Sequence, residues 1–401
     1  MMRGCNTAAL SCYLAFTAGA RVTLSKKIIF MITDAGGGHR ASAVALQAAC
    51  AAHAPHLNTS IVNMYHGPWA KAEPLGALTG FYAEDLYNFV LKNSLLGFAG
   101  AMRYGARLAS HVPNATAVRD GLEWLKAEKP DLCVSLMPFV NDLHAQICES
   151  AGVPFALAMT DLVDRAPYMW YTPRAARQAV WVSAPSAVAA AQARDAGAQR
   201  VIDSGLLLHP KYHDPALRAM SRSTARVRLG LDPERLTVLV SMGGFGSSSM
   251  LELIKGIDAV GRDWQIVAIC GRNEKLQTEL EALKLRRHRV IAVGFTQELE
   301  LYLRAADLMV GKPGPASIFE AVAANTPLVL DAAKAMPQEL PNAELVALHG
   351  MGIQVQHRHD LPAAVAALAE SASARACIQA AQLAYPLPNA GRVLTEAFEA
   401  A

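Results

Sequence analysis

Lys27-Ile28-Ile29-Phe30-Met31-Ile32-Thr33, followed at once by Asp34-Ala35-Gly36-Gly37-Gly38-His39-Arg40, decides the fold of this chain. The first seven residues are a short apolar run rich in β-branched side chains, as in a strand buried on both faces. After the glycines, Ala41 to Ala54 is alanine-rich, with Val44, Leu46 and Ala48 to Ala52 able to form one face of a helix. Strand, glycine turn and helix make the first crossover of a parallel α/β sheet. The glycines allow a tight turn and let a ligand approach the backbone amides, while the helix points its positive end at the same place. His39 stands in the mouth of that cleft as the side chain able to take a proton near neutral pH.

Three readings of the loop compete. Gly36-x-Gly38-x-x-Ala41 loosely fits the dinucleotide fingerprint, which also asks for an acid at the end of the second strand. Here Ser60-Ile61-Val62 runs into Asn63-Met64-Tyr65-His66, with no carboxylate to hold a ribose. A nicotinamide site, and with it an NAD-dependent oxidoreductase, is disfavoured. A tight turn with a solvated histidine is the plain alternative. The third reading, a base or acceptor loop of a sugar transferase, needs support from the rest of the chain.

The 401 residues exceed one ordinary core and suggest two domains. Half of them are apolar and 18% are charged, as in a globular protein. The net charge of +3 is too small to argue for nucleic acid and is compatible with an anionic membrane surface. Cys5, Cys12, Cys50, Cys133, Cys148, Cys270 and Cys377 are scattered and contain no C-x-x-C pair; free thiols in a reducing compartment account for them, and no zinc site is visible. Residues 1–25 have the outline of a signal peptide but are expected to be a disordered leader. The remainder has no apolar run long enough to span a bilayer.

From Gly67 to Ala109 the strand–helix rhythm gives way to an aromatic and apolar insertion: Trp69, Phe81, Tyr82, Leu86, Tyr87, Phe89 and Val90, then Leu95, Leu96, Phe98, Met102 and Tyr104. Lys92, Arg103 and Arg107 are interleaved. Core packing of two helices competes with an amphipathic patch meeting lipid. The alternation then resumes. Asp131 to Leu136 and Pro154 to Thr160 are strands, the second ending at Asp161, where α/β ligands bind; a turn cap is the alternative for Asp161. Gly205 to Pro215 reads as a hinge between a first domain, 26–204, and a second, 216–375. In the second, strand Leu236–Ser241 meets the loop Met242-Gly243-Gly244-Phe245-Gly246. Strand Leu308–Val310 leads to Gly311-Lys312-Pro313-Gly314-Pro315-Ala316-Ser317. A last segment, 376–401, is expected to carry a helix back to the first domain. The fold expected is α/β: a GT-B architecture of two Rossmann-like, doubly wound domains facing a central cleft.

On these motifs the chain resembles the monogalactosyldiacylglycerol synthase-like glycosyltransferases, whose wider superfamily includes the lipid II-forming N-acetylglucosaminyltransferase MurG. The resemblance rests on Asp34-Ala-Gly-Gly-Gly-His-Arg-Ala-Ser-Ala43, Met159-Thr-Asp-Leu162 with Trp170, and Gly243-Gly-Phe-Gly246. Gly271-Arg-Asn273, Lys312-Pro-Gly-Pro-Ala-Ser-Ile-Phe-Glu-Ala321, and Gln338-Glu339 with Asn342 extend it. It implies inverting transfer of a hexose from UDP-galactose or UDP-glucose to diacylglycerol or a related lipid. The enzyme would work as a peripheral protein on the cytoplasmic, inner face of the membrane.

By the same resemblance, Glu320 would accept the ribose hydroxyls, and Gly243, Gly244, Gly246, Arg272, Lys312, Gly314 and Ser317 would line the diphosphate. Gln338 and Glu339 would take the sugar hydroxyls. There is no D-x-D, so backbone amides would do the work of a metal and no cofactor is expected. Gly37, Gly38, Trp69, Tyr82 and Tyr87 are assigned to the acceptor. His39 is the leading base and Asp161 its competitor or orienter. The chain departs from the family at Leu136-Met137-Pro138, where a histidine is usual before the proline, and at the hinge Leu207-Leu208-His209-Pro210-Lys211. A non-catalytic lipid-binding protein on the same fold is the alternative.

Overall fold

The computed structural model describes residues 25–72, 74–92, 114–164, 169–244, 246–260 and 262–401. The leader expected over 1–25 lies outside them except for Ser25, as do the later insertion residues Leu95, Leu96, Phe98, Met102, Arg103, Tyr104 and Arg107, and Phe245 of the second glycine loop. In chain order the strands are β1 (Lys27–Ile32), β2 (Asn58–Asn63), β3 (Leu132–Ser135), β4 (Phe155–Ala158), β5 (Val182–Ala184) and β6 (Val201–Asp203). They are followed by β7 (Thr237–Ser241), β8 (Gln265–Gly271), β9 (Arg289–Gly294), β10 (Leu308–Gly311), β11 (Leu328–Asp331) and β12 (Gly352–Val355).

They form two six-stranded sheets, ordered β2-β1-β3-β4-β5-β6 and β12-β11-β10-β7-β8-β9, with every pairing parallel. Helices on both faces bury β1, β3, β4, β7, β8, β10 and β11 almost entirely, which is why those strands read as unbroken apolar runs. In both sheets the order reverses beside the first strand, between β1 and β3 and between β7 and β10. Loops leaving the carboxyl ends there flank the crevices where such sheets bind ligands.

Several elements depart from expectation. The first helix spans Gly38–His53, three residues earlier than the alanine run suggests. Gly36 and Gly37 have φ of 68° and 80°, so the tight turn is made there, and His39 lies in the first helical turn. The edge strand β12, Gly-Ile-Gln-Val, is too short and mixed in polarity to stand out in the sequence.

Between the sheets, Leu206, Leu208 and Tyr212 join the core of the second sheet. The terminal helix Ala390–Ala400 returns to the first: Phe398 is buried between Phe30 and Trp181, each ring centroid 5.7 Å away. Where this return segment passes the start of the hinge, Gly205 (φ 72°) leaves no room for a side chain, since a Cβ would lie 2.4 Å from Pro388. Among the described residues no single helix is long and apolar enough to cross a membrane.

Candidate active site

At the carboxyl edge of the first sheet, His39 Nδ1 lies 3.2 Å from Thr160 Oγ1, just past β4, and its ring stands 5.9 Å from that of Trp170. Burial pushes the His39 imidazole down to about 4, against a hydrogen bond with the Leu136 backbone and the nearby Asp34 carboxylate. The ring is therefore neutral at pH 7 and free to accept a proton, although less basic than an ordinary histidine. Asp161 accepts the Trp170 indole N–H at 2.8 Å. The sequence-assigned base and its competitor thus follow β1 and β4, which flank β3, with Trp170 between them in contact with each.

The glycine loop is held by residues that the motif did not reveal. Glu84, from the insertion helix Ala83–Lys92, is 3% exposed. It accepts Thr33 Oγ1 at 2.5 Å, the Asp34 amide at 2.7 Å and Asn63 Nδ2 at 2.9 Å, and lies 2.8 Å from His66 Nε2. Asn88 of the same helix takes the Gly36 amide at 2.8 Å and donates to the Asp34 carbonyl at 3.0 Å. Asn63 donates to Asp34 as well, and Arg40 pairs with Asp34 at 2.5 Å. Asn63 stands where a dinucleotide site would need an acid, and its amide is committed to these two carboxylates.

Two acceptor assignments need correction. Trp69 is 3% exposed and stacked on His144 at a centroid distance of 4.8 Å, and Tyr82 is buried with its hydroxyl on the Ala70 carbonyl. Large aromatic side chains gain most by full burial, and these two build the insertion into the core instead of lining a lipid groove. Gly37 and Gly38 remain open: a Cβ at either would meet nothing within 4 Å. The third aromatic, Tyr87, points the other way and donates to Met336 Sδ of the second half at 3.3 Å.

On that side the glycine loop after β7 faces the loop after β10. A Cβ on Gly243 would lie 3.1 Å from Lys312 Cε. Gly271 supports this loop: its φ is 58°, and a Cβ would strike the Gly244 carbonyl at 2.2 Å, where the Arg272 amide donates at 3.0 Å. The Gly246 amide closes the turn on the Gly243 carbonyl at 3.0 Å. Arg272 lies over Phe295, 5.2 Å from the ring centroid. Gly314 caps the helix Pro315–Ala323, placing Ser317 in its first turn.

Glu339 is a third correction. Its Oε1 pairs with Lys312 Nζ at 3.3 Å and its Oε2 accepts the Met336 amide at 3.1 Å, both in a nearly buried setting. It joins the loop after β10 to the segment after β11 rather than presenting a free carboxylate, and Asn342 reinforces the joint by donating to the Pro313 carbonyl. Gln338 is half-exposed and gives its amide to Met336 Sδ at 3.3 Å. Glu320 lies one turn deeper in the helix than the loop itself. Burial lifts it to about 7, opposed by its hydrogen bond with Tyr212 and by Lys211, and assisted by Glu300. Lys211 in turn is fixed on Glu300 at 2.5 Å.

Sequence comparison adds to this geometry. Residues 237–381 match the model of the glycosyltransferase family 28 C-terminal domain. The chain is 28% identical over 358 residues to monogalactosyldiacylglycerol synthase 1, chloroplastic, of Arabidopsis thaliana, covering 83% of this chain and 63% of that protein. It is 30% identical over 229 residues to the processive diacylglycerol beta-glucosyltransferase of Staphylococcus carnosus, covering 56% of each. The chain spans less than two thirds of the length of the synthases from Arabidopsis thaliana, Glycine max and Spinacia oleracea. Among solved structures, Acinetobacter baumannii MurG superposes with a TM-score of 0.59 at 15% identity, covering 94% of this chain and all of that one. Staphylococcus aureus MnaA, solved with UDP, gives 0.58 at 13% identity, covering 93% and 95%. The two-sheet architecture is that of the GT-B fold.

Proposed function

We propose that this chain, which carries a glycosyltransferase family 28 C-terminal domain on a GT-B fold and is related to the monogalactosyldiacylglycerol synthases, is an inverting hexosyltransferase. The donor is UDP-galactose or UDP-glucose, and the acceptor is the hydroxyl of diacylglycerol or a related lipid. The observation that carries this reading is the pairing of two loops at one switch point: Gly243 packed on Lys312, beside the amino end of the helix Pro315–Ala323. Backbone amides, a lysine ammonium and a helix end together make a site for a diphosphate.

In the reaction the acceptor oxygen attacks the anomeric carbon as the bond from that carbon to the diphosphate breaks. The hydroxyl proton passes to neutral His39, and the negative charge gathering on UDP is met by Lys312 and the Ser317 amide in the first turn of the helix, the Gly314 amide being held by the Lys312 carbonyl at 2.9 Å. Asp161 orients the acceptor side through Trp170, Glu320 takes the ribose hydroxyls and Gln338 the sugar.

Leu78, Phe81, Leu86 and Phe89 stand exposed on the insertion, beside the acceptor loop. Such a patch suits a peripheral protein resting on lipid, and flotation with anionic vesicles at low salt tests it.

A thermal-shift panel of UDP, UDP-galactose, UDP-glucose and NAD tests the donor class. Stabilisation by UDP and one UDP-hexose, and glycolipid formation in vesicles containing diacylglycerol, are the expected results. Stabilisation by NAD alone would overturn the reading. Lipid binding with no response to any UDP compound would favour the non-catalytic alternative.

A further inference from the structure

The helix Ala83–Lys92 turns Leu86 and Phe89 toward solvent and buries Glu84 and Val90 against the protein. Leu86 and Phe89 are 41% and 54% exposed, whereas Glu84 is buried. Glu84, Tyr87 and Asn88, spaced i, i+3 and i+4, share the inward face. Two of them grip the acceptor loop: Glu84 holds Thr33 and the Asp34 amide, and Asn88 holds Asp34 and Gly36 through their backbone groups. The third crosses to the other half of the molecule. Tyr87 Oη donates to Met336 Sδ at 3.3 Å, and Gln338 Nε2 donates to the same sulfur at 3.3 Å. Met336 is itself buried, and its amide is tied to Glu339, which pairs with Lys312.

We propose that Tyr87 is a positioning residue for the donor sugar: through the Met336 thioether it orients the Gln338 amide, and its helix fixes that orientation relative to the acceptor loop. This rests on the reading of Gln338 as a contact of the transferred sugar. A thioether is a weak acceptor with little directional demand, so two donors can share it from opposite sides. Removing the Tyr87 hydroxyl leaves Gln338 as the sulfur's one remaining donor among the described residues and removes the fixed point from which the amide is aimed. On the nucleotide end of the donor, Lys312 reaches Met336 through Glu339 and the Met336 backbone amide, not through the thioether that Tyr87 and Gln338 share. Tyr87 therefore acts on the hexose and not on UDP.

The test uses the full chain and calorimetric titration with UDP and with whichever UDP-hexose stabilises the wild-type protein. Tyr87→Phe is expected to leave the UDP Kd within about twofold and to weaken the UDP-hexose about fivefold, the loss of one hydrogen bond. Met336→Leu should do the same, and the double variant should be no worse than either single one, because both break one link. Gln338→Ala should cost hexose affinity in the wild type and markedly less in the Tyr87→Phe background. That non-additivity is a readout that a merely structural tyrosine would not give. If the substitutions add independently, or if Tyr87→Phe weakens UDP and UDP-hexose equally or neither, the proposal is wrong. Wild-type protein that binds no UDP would overturn the donor reading itself, and this proposal with it.

Discussion

His39 and Glu320 are both partly buried titratable groups, and burial moves them in opposite directions, His39 down and Glu320 up. His39, held down to about 4, is uncharged throughout the range in which an enzyme of this kind is assayed. Its protonation therefore contributes no acid limb near pH 7, and His39→Ala should lower kcat by a factor of about 10² to 10⁴, with UDP affinity preserved by titration. Glu320, lifted from 4.5 to about 7, behaves differently. Between those two values the folded protein retains a proton that the unfolded chain has released. Stability accordingly falls as pH rises through that window and is level above it. That falling contribution opposes the one from His39, whose folded value lies below its unfolded one and which therefore adds stability as pH rises from about 4 to 6.5. Glu320→Gln should remove the opposition, so that Tm rises more steeply with pH between about 5 and 6.5 than in the wild type, measured by thermal unfolding in a buffer series. His39 was legible because the loop motif and its place after a buried strand point to it directly. Glu84 was not, because its partners precede it by some fifty residues and its helix, read as a pattern, looks like one that buries its apolar side. The same ambiguity drew Trp69 and Tyr82 toward the acceptor, since aromatic residues signal a core and a lipid surface equally well.

Among the elements, the glycine loops divide into positions that need glycine for the backbone and positions that are merely open. Gly271→Ala combines a left-handed φ with a Cβ at 2.2 Å from the Gly244 carbonyl, and should cost about 1–3 kcal/mol of stability, seen in urea unfolding. Gly244→Ala meets no atom within 4 Å and has no such φ. It should leave the urea midpoint nearly unchanged while weakening UDP, if the open space is where the diphosphate approaches. Equal UDP affinity in Gly244→Ala and the wild type would move the diphosphate elsewhere. Strand–loop–helix order was readable at this scale because parallel strands buried on both faces are unbroken apolar runs. Helix starts and β12 were harder. Propensity places a helix where the alanines begin, but tertiary contacts carry it back to Gly38, and an edge strand of four mixed residues has no period to detect.

In the molecule as a whole, the first sheet's core includes side chains from the far end of the chain. Phe398→Ala, which empties the space between Phe30 and Trp181, should cost about 3–5 kcal/mol, measured by urea unfolding of the full chain. The loss should fall on the first half, with UDP binding by the second half retained below the transition. The two-sheet plan and the return of the terminal helix were both visible in the order of the segments. The contact between Tyr87 and Met336 was not, because no local pattern in either segment specifies a partner 249 residues away.

That returning helix also sets a timetable. A ribosome delivers the chain from its amino end, so β1, the glycine loop and the rest of the first sheet emerge long before Ala390–Ala400 exists. Until those last residues clear the exit tunnel, Phe30 and Trp181 lack Phe398, and the surface of the helix Gly38–His53 that receives the terminal helix is uncovered. The second half, whose sheet is complete by Val355, can close its own core sooner. The half synthesised first is thus finished after the second, and during translation the nascent protein carries an apolar seam of its own making that the helix Ala390–Ala400 seals.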